Sequence, residues 1–172
     1  KMKKIGIIFI SLFVFGLTAN AQKFALIDME YILNHIPAYK EGSERLETKA
    51  KAWQQEIQDV AKQTETMFKN YQAKIKSLND QQKQKEEESI IAKEKELAEL
   101  RRKYFGPQGE MEKEQTAFMQ PIEDSIYEAV KKLSEIHDYS VVLDRASATS
   151  IIFASPAIDI SNEVLNTLGY SN

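Results

Sequence analysis

From Leu46 onward, apolar or small residues recur at Leu46, Ala50, Trp53, Ile57, Val60, Thr64, Phe68, Tyr71, Ile75 and Leu78, stepping mostly by four and three. A helix brings such positions round to one face, so the run predicts a coiled-coil seam on an otherwise charged helix. The line stops at the wholly polar "NDQQKQKEEES", Asn79–Ser89, then resumes at Ile90, Leu97, Tyr104, Met111 and Phe118, each seven apart. Two seams with one polar gap between them can cover each other as an antiparallel hairpin, with its turn near Asn79 or Asp80.

A second irregularity competes for the turn. In "KYFGPQGEMEK", Lys103–Lys113, the residues Gly106, Pro107 and Gly109 interrupt a helix-favouring run. The seven-residue phase passes through them unchanged, which a linker would have no reason to preserve, so the segment reads as a kink in one continuous helix. Arm lengths agree. A turn at Asn79 leaves about 50 residues back to Asp28 and about 58 forward to Asp138, arms of roughly 75 Å at about 1.5 Å per residue. Pro121 is a candidate second bend.

Both ends of the hairpin return to strand-like pieces: "KFALID" ending at Asp28, "YSVVLD" ending at Asp144 and "SIIFA" ending at Ala154, the last two joined by the polar "RASATS". A closing amphipathic helix is expected over Asn162–Leu168, with Ser161 or Asp159 as N-cap and Gly169 as its stop. Three short strands cannot close a sheet, and their exposed edges favour pairing with another chain. The expected class is α+β: a long helical coiled-coil hairpin projecting from a small β-body that an oligomer completes.

The N-terminus carries Lys3 and Lys4, an apolar run from Ile5 to Leu17, and Ala19-Asn20-Ala21 ahead of Gln22. This is the layout of a secretory signal cut between Ala21 and Gln22, with an apolar core too short for the roughly 20 residues that span a bilayer. The expected organisation is a signal at 1–21 and a single domain at 22–172. Within that domain, a strand and short helix fall at 23–40, a descending arm at 41–78, an ascending arm at 81–138, and strands with a closing helix at 139–169. Without a cysteine anywhere in the chain, a lipid-anchored form, disulfides and thiolate chemistry are not expected. Removing Lys1, Lys3 and Lys4 from the 23 basic residues leaves 20 against 26 acidic ones, a net charge of −6. Lysines alternate with glutamates, the pattern of a solvated face, and not of a continuous phosphate-binding surface, so nucleic-acid binding is disfavoured. None of the six glycines opens a phosphate-cradling motif.

The order of parts resembles the Skp (OmpH) family of periplasmic chaperones from Lys23 to about Leu168. The resemblance rests on "FALIDMEYIL", "YSVVLD" and "AIDISNEVLNTL", with Ser161 where the family usually has threonine. It implies a homotrimer in which three chains share a small β-barrel. Helical hairpins would extend from it as tentacles around a cavity that holds unfolded outer-membrane proteins, in the periplasm, without ATP, cofactor or catalysis. The negative charge gives no ground for carrying over a lipid site. A secreted coiled-coil adaptor of an envelope assembly is the alternative reading.

Candidate client-contact or seam residues are Trp53, Met67, Phe68, Tyr104, Phe105, Met111 and Phe118. Trp53 precedes the turn by about as many residues as Tyr104 and Phe105 follow it, so these three rings are expected at one level of the hairpin. Either all are seam packing, or one ring, Phe105 first among them, faces an unfolded client. Met67 and Met111 admit the same two readings, as seam filler or as adaptable contacts. His35 and His137 are expected to be structural, because no carboxylate-rich ligand set surrounds them. Asp28, Asp144 and Asp159, all at strand or helix ends, suit capping and turns better than a catalytic carboxylate pair.

Overall fold

The computed structural model describes residues 22–148 and 151–170; the expected signal and the Ala21 side of its cut lie outside them. In chain order the elements are β1 (Lys23–Ile27), α1 (Met29–Asn34), α2 (Pro37–Lys74), a 3-10 turn (Ile75–Ser77), α3 (Asp80–Phe105), α4 (Glu110–His137), β2 (Tyr139–Asp144), a 3-10 turn (Pro156–Ile158) and α5 (Ser161–Leu168). The contacts divide into two compact units, Leu33–Tyr127 and one made from the two ends of the chain, up to Ile32 and from Glu128 onward. Long helices with a small sheet are what the pattern predicts.

Within Leu33–Tyr127, α2 begins with a proline in its first turn, where a missing N–H costs nothing. It runs to Lys74 and unwinds through the 3-10 turn. Asn79 then caps α3: its side-chain oxygen accepts from the Gln82 N–H at 2.9 Å, and the Gln82 side chain accepts from the Asn79 N–H at 3.0 Å. This reciprocal pair satisfies two otherwise orphaned donors, which is why the chain turns at the polar gap. Val60, Thr64, Tyr71, Ile90 and Tyr104 are buried. Phe68 and Ile75, however, leave the predicted seam: both are exposed, and Met67 takes the seam position with its side chain partly covered. Stepping from Val60 to Thr64 to Phe68 would be two steps of four, which rotates a side chain about 80° off the line. Stepping to Met67 keeps the alternation of four and three.

Residues Gly106–Gly109 also differ from expectation. They form a break between α3 and α4, not a kink in a continuous helix. Gly106 is extended (φ −76, ψ 172), Gln108 is left-handed (φ 57), and Pro107 sits where no helical N–H is needed. The backbone stays satisfied: Gly106 donates to Arg102 O at 3.0 Å, Gly109 to Gly106 O at 2.9 Å, and Lys113 to Gly109 O at 3.1 Å. A Cβ at Gly106 would stand 2.5 Å from Arg102 O, and one at Gly109 2.8 Å from Gly106 O, so this turn requires glycine at both ends. Heptad phase reports which side chains face the seam. It says nothing of whether the backbone between two in-phase residues is helical.

In the other unit, β1 and β2 pair in parallel, with Phe24 to Ile27 beside Val141 to Asp144. A parallel pair needs a long crossover, and here the whole of Leu33–Tyr127 intervenes in sequence. The other edge of β1 carries a bridge from Leu26 to Asp159, with Ile160 N–H donating to Leu26 O at 2.9 Å. Strand β1 is therefore central, and Ala25, Leu26 and Ile27 join Ile32, Val164 and Leu165 in the core. The expected third strand does not form: Ile151–Ala154 carries no ladder, and Ile152 and Phe153 are 101% and 85% exposed, while Ser150 lies outside the described residues. Strand β2 is paired on one edge only, and among the described residues this segment forms no ladder along the open edge. The closing helix starts at Ser161 and ends at Gly169 in the left-handed region (φ 86). Neither Ser161 nor Asp159 is its N-cap: that position is Ile160, which has no side chain able to cap, while Asp159 Oδ1 accepts from the Ser161 N–H at 2.9 Å and from the Ser161 hydroxyl at 2.6 Å. The Ser161 oxygen in turn accepts the Asp28 N–H at 2.8 Å, joining the end of β1 to the start of α5.

Candidate functional site

Trp53 and Tyr104 stack with centroids 5.1 Å apart and planes 10° from parallel, and Phe105 meets Trp53 edge-on at 6.2 Å. The three rings share one level because α2 and α3 count nearly equal lengths from the Asn79 turn. They do not share one environment. Tyr104 is 6% exposed; Phe105 remains 42% exposed. The Tyr104 hydroxyl donates to Glu56 Oε2 at 2.6 Å across the arms, and Lys103 Nζ lies 4.9 Å from its ring centroid. The Glu56 acceptor favours the protonated phenol, raising its pKa. Just over two heptads nearer the turn, the Tyr71 hydroxyl donates to Glu87 in the same way, and Lys74 meets Glu86 at 3.0 Å. On the far side of the break, Lys49 meets Glu114 at 2.5 Å. The seam is thus part apolar and part polar, with cross-arm pairs that fix its register.

Phe118 is seated by a residue that carries no seam signal. Its ring lies on the backbone of Gly42, where a Cβ would come within 2.5 Å of the ring, and 6.4 Å from the Tyr39 ring. Beside it is a cavity of about 340 Å³ lined by Ala38, Leu46, Ala117, Pro121 and Ile122, with Arg45 and Glu114 at its walls. Met111, like Met67, is partly covered. Of the sequence-selected side chains, Trp53, Met67, Tyr104, Met111 and Phe118 therefore face inward to some degree. Phe68 at 48% exposure and Phe105 face outward, and so does Ile91 at 63%. Ile91 escapes a seam search because it follows the seam residue Ile90 directly. An open groove of about 500 Å³ runs beside Phe105, lined also by Ile57, Ala61, Gln54, Gln58 and Arg101.

In the other unit, Arg145 gathers the carboxylates. Its Nε and NH2 donate to Asp28 Oδ2 at 3.0 and 2.8 Å, and its NH1 lies 3.4 Å from Asp159 Oδ2. Asp28 Oδ1 accepts the Tyr31 N–H at 2.9 Å, and this bond, then Arg145, holds the Asp28 carboxyl below its usual range against the opposing effect of burial. Asp144 Oδ1 accepts from Met29 and Ala146 N–H at 3.1 and 3.0 Å. Burial acts to raise the Asp144 pKa, but the bond from Ser147 and these backbone N–H bonds outweigh it and leave the carboxyl below its usual range. These carboxylates meet Arg145 or backbone N–H groups, an arrangement that ties strand ends together. Among the described residues no group of three or more histidine, aspartate or glutamate side chains is arranged to hold a metal ion. His137 lies 3.9 Å from Glu163 and beside the Tyr139 ring. No helix among the described residues is long and apolar enough to cross a membrane.

Comparison with known proteins gives a consistent result. A crystal structure of a candidate outer membrane chaperone (OmpH-like) from Caulobacter crescentus CB15 superposes with a TM-score of 0.65, covering 86% of this chain and 84% of that one at 17% identity, a likeness of fold. No curated protein sequence matches significantly. The outer membrane protein (OmpH-like) family matches residues 23–168, a span from the first residue of β1 to the last of α5, and the chain belongs to that family.

Proposed function

We propose that this protein is an ATP-independent holdase of the periplasm, a homotrimer that takes unfolded outer-membrane proteins between helical arms and prevents their aggregation. Membership of the OmpH-like family supports a chaperone role. The observation that carries the finer reading is that Phe68, Ile91 and Phe105 stand 48%, 63% and 42% exposed on helices whose surface is otherwise mostly charged or polar. Such a surface offers many weak apolar contacts that water and charge keep from merging into one stable interface. Tethering several arms makes weak contacts cooperative, since each later contact forms at the high effective concentration set by the first. The reading needs neither cofactor nor catalytic residue. Export follows from the signal read at 1–21.

The direct test dilutes a urea-unfolded outer-membrane β-barrel into buffer with and without the mature protein and follows light scattering, alongside the protein's mass by analytical ultracentrifugation. Suppression near one trimer per client is expected. Scattering unaffected at a severalfold excess would refute the holdase and favour a coiled-coil adaptor. A monomeric mass would refute the shared β-body.

A further inference from the structure

Phe68, Ile91 and Phe105, the exposed large apolar side chains of α2 and α3, lie on one side of the hairpin. On α2, Ala61 and Phe68 are seven residues apart; on α3, so are Ile91, Ala98 and Phe105. Seven residues return a helix to within about 20° of the same face, so each helix carries one apolar line beside its seam. Ala61 and Phe105 line a single open groove, which puts the two lines on the same side. The stack of Trp53 on Tyr104 and the bond from Tyr71 to Glu87 fix how the arms pass. By that register Phe68 stands level with Ile91, and Ala61 with Ala98. The result is a ladder with large rungs at either end and a small one between, spaced about 10 Å apart. Across the seam, the matching heptad positions are Gln63 and Asn70 on α2 and Ser89 and Glu96 on α3, all exposed and polar.

The size of the ladder decides what fits it. Phe68, Ile91 and Phe105 are 48%, 63% and 42% exposed, which leaves on the order of 300 Å² of side-chain surface open to water, given roughly 200 Å² for a whole aromatic residue. A stable complex needs about 800 Å² from each partner, so a second hairpin packed face to face would bury too little. A few hundred square ångströms in one patch is nevertheless the scale of a protein-contact surface. Polyproline II, a major conformer of unfolded chains, has three residues per turn and rises about 3.1 Å per residue, so rungs about 10 Å apart meet every third side chain on one side of it, and an apolar-rich segment finds a register without a motif. We infer that this one face of the hairpin is where an unfolded polypeptide lies, with apolar side chains on the large rungs and in the groove beside Ala61, while the opposite face stays in water. The inference rests on the holdase reading and assigns it a side and residues.

The experiment uses the full mature chain and a urea-diluted outer-membrane β-barrel as probe. The stripe variant F68S/I91S/F105S should keep its far-ultraviolet circular dichroism and lose about tenfold or more in client affinity, whereas Q63S/N70S on the opposite face should match the parent. In an otherwise unaltered chain, a photo-crosslinking amino acid should capture client from position 68 or 91 and not from position 70. This arm stands even if the triple variant fails to fold. Parent-like affinity in a folded stripe variant, equal capture from position 70, or capture of a second copy in place of client would each overturn the sided surface while leaving the holdase intact. A parent protein that gives no protection would instead remove the holdase reading and this inference with it.

Discussion

Replacing Gly42 by alanine sets two known effects against each other, and the structure decides between them. In an open helix the change stabilises by about 1 kcal/mol, because glycine loses more backbone freedom than alanine on folding. At Gly42 the added methyl would stand 2.5 Å from Phe118 Cδ2 and 2.8 Å from Cγ, the root of the ring. The ring cannot clear the methyl by moving its far edge. It must change rotamer towards the neighbouring cavity of about 340 Å³ or push the arms apart, an overpacking cost of roughly 1–3 kcal/mol. The net expectation for Gly42→Ala is destabilisation by about 1 kcal/mol, read from urea denaturation followed at 222 nm. The decisive arm is the background: in Phe118→Ala, itself costing about 3 kcal/mol, the clash is gone and Gly42→Ala should stabilise by about 1 kcal/mol. The sign of one substitution should thus reverse with the identity of one residue 76 positions away in sequence. Equal effects in both backgrounds would refute the claim that Gly42 is glycine to seat the Phe118 ring.

At the helix break, Gly106→Ala and Gly109→Ala singly should each lower the melting temperature, since each methyl meets backbone oxygen at 2.5 or 2.8 Å; changing Gly106, Pro107 and Gly109 together to alanine lets α3 and α4 run on as one helix, in which the methyls no longer meet that turn, so the triple variant should melt above either single one. Tyr104→Phe removes the bond to Glu56 but keeps the stack on Trp53, so denaturant unfolding should show a loss of about 1 kcal/mol, against about 3 for Trp53→Ala. Because the folded pKa of Asp28 is depressed, its contribution is present above the ordinary carboxylate range and is lost as pH falls through the lower folded value. Arg145→Met should therefore move the Asp28 titration upward by NMR and lower the stability at pH 7 only slightly, given that half the guanidinium is solvent-exposed; the difference from the parent should vanish at strongly acid pH.

What the sequence makes legible here follows its periodicities. A seam repeating by four and three announces long paired helices, and the polar gap at Asn79 announces the turn, because both are local in the chain. Phe68 misled for a local reason too: phenylalanine is the more apolar neighbour, but Met67 keeps the phase. The break at Gly106–Gly109 hides because phase survives it. Gly42 and Arg145 could not be read at all. The first matters through Phe118 and the second through Asp28 and Asp159, distant residues that only the fold brings together. The expected strand at Ile151–Ala154 has the composition of a strand, yet it forms no ladder along the open edge of β2.

The polar pairs across the arms explain how outward-facing rings can be tolerated. A two-helix hairpin has little interior, and Phe68 sits only about 80° round α2 from the seam line. A modest rotation would bury it, expose Met67 and align a competing register of nearly equal apolar content, the hazard of any seam with large residues beside it. Apolar contact alone is non-directional and discriminates weakly between the two. The bonds from Tyr71 to Glu87 and from Tyr104 to Glu56, with Lys74 and Lys49 on Glu86 and Glu114, are directional, and all four form only in the observed register. Rotating α2 would break several of them together and strand two tyrosine hydroxyls in the part-buried seam, where an unmet hydroxyl costs about 1–3 kcal/mol. Register is thus held by polar geometry, which leaves Phe68, Ile91 and Phe105 free to face outward.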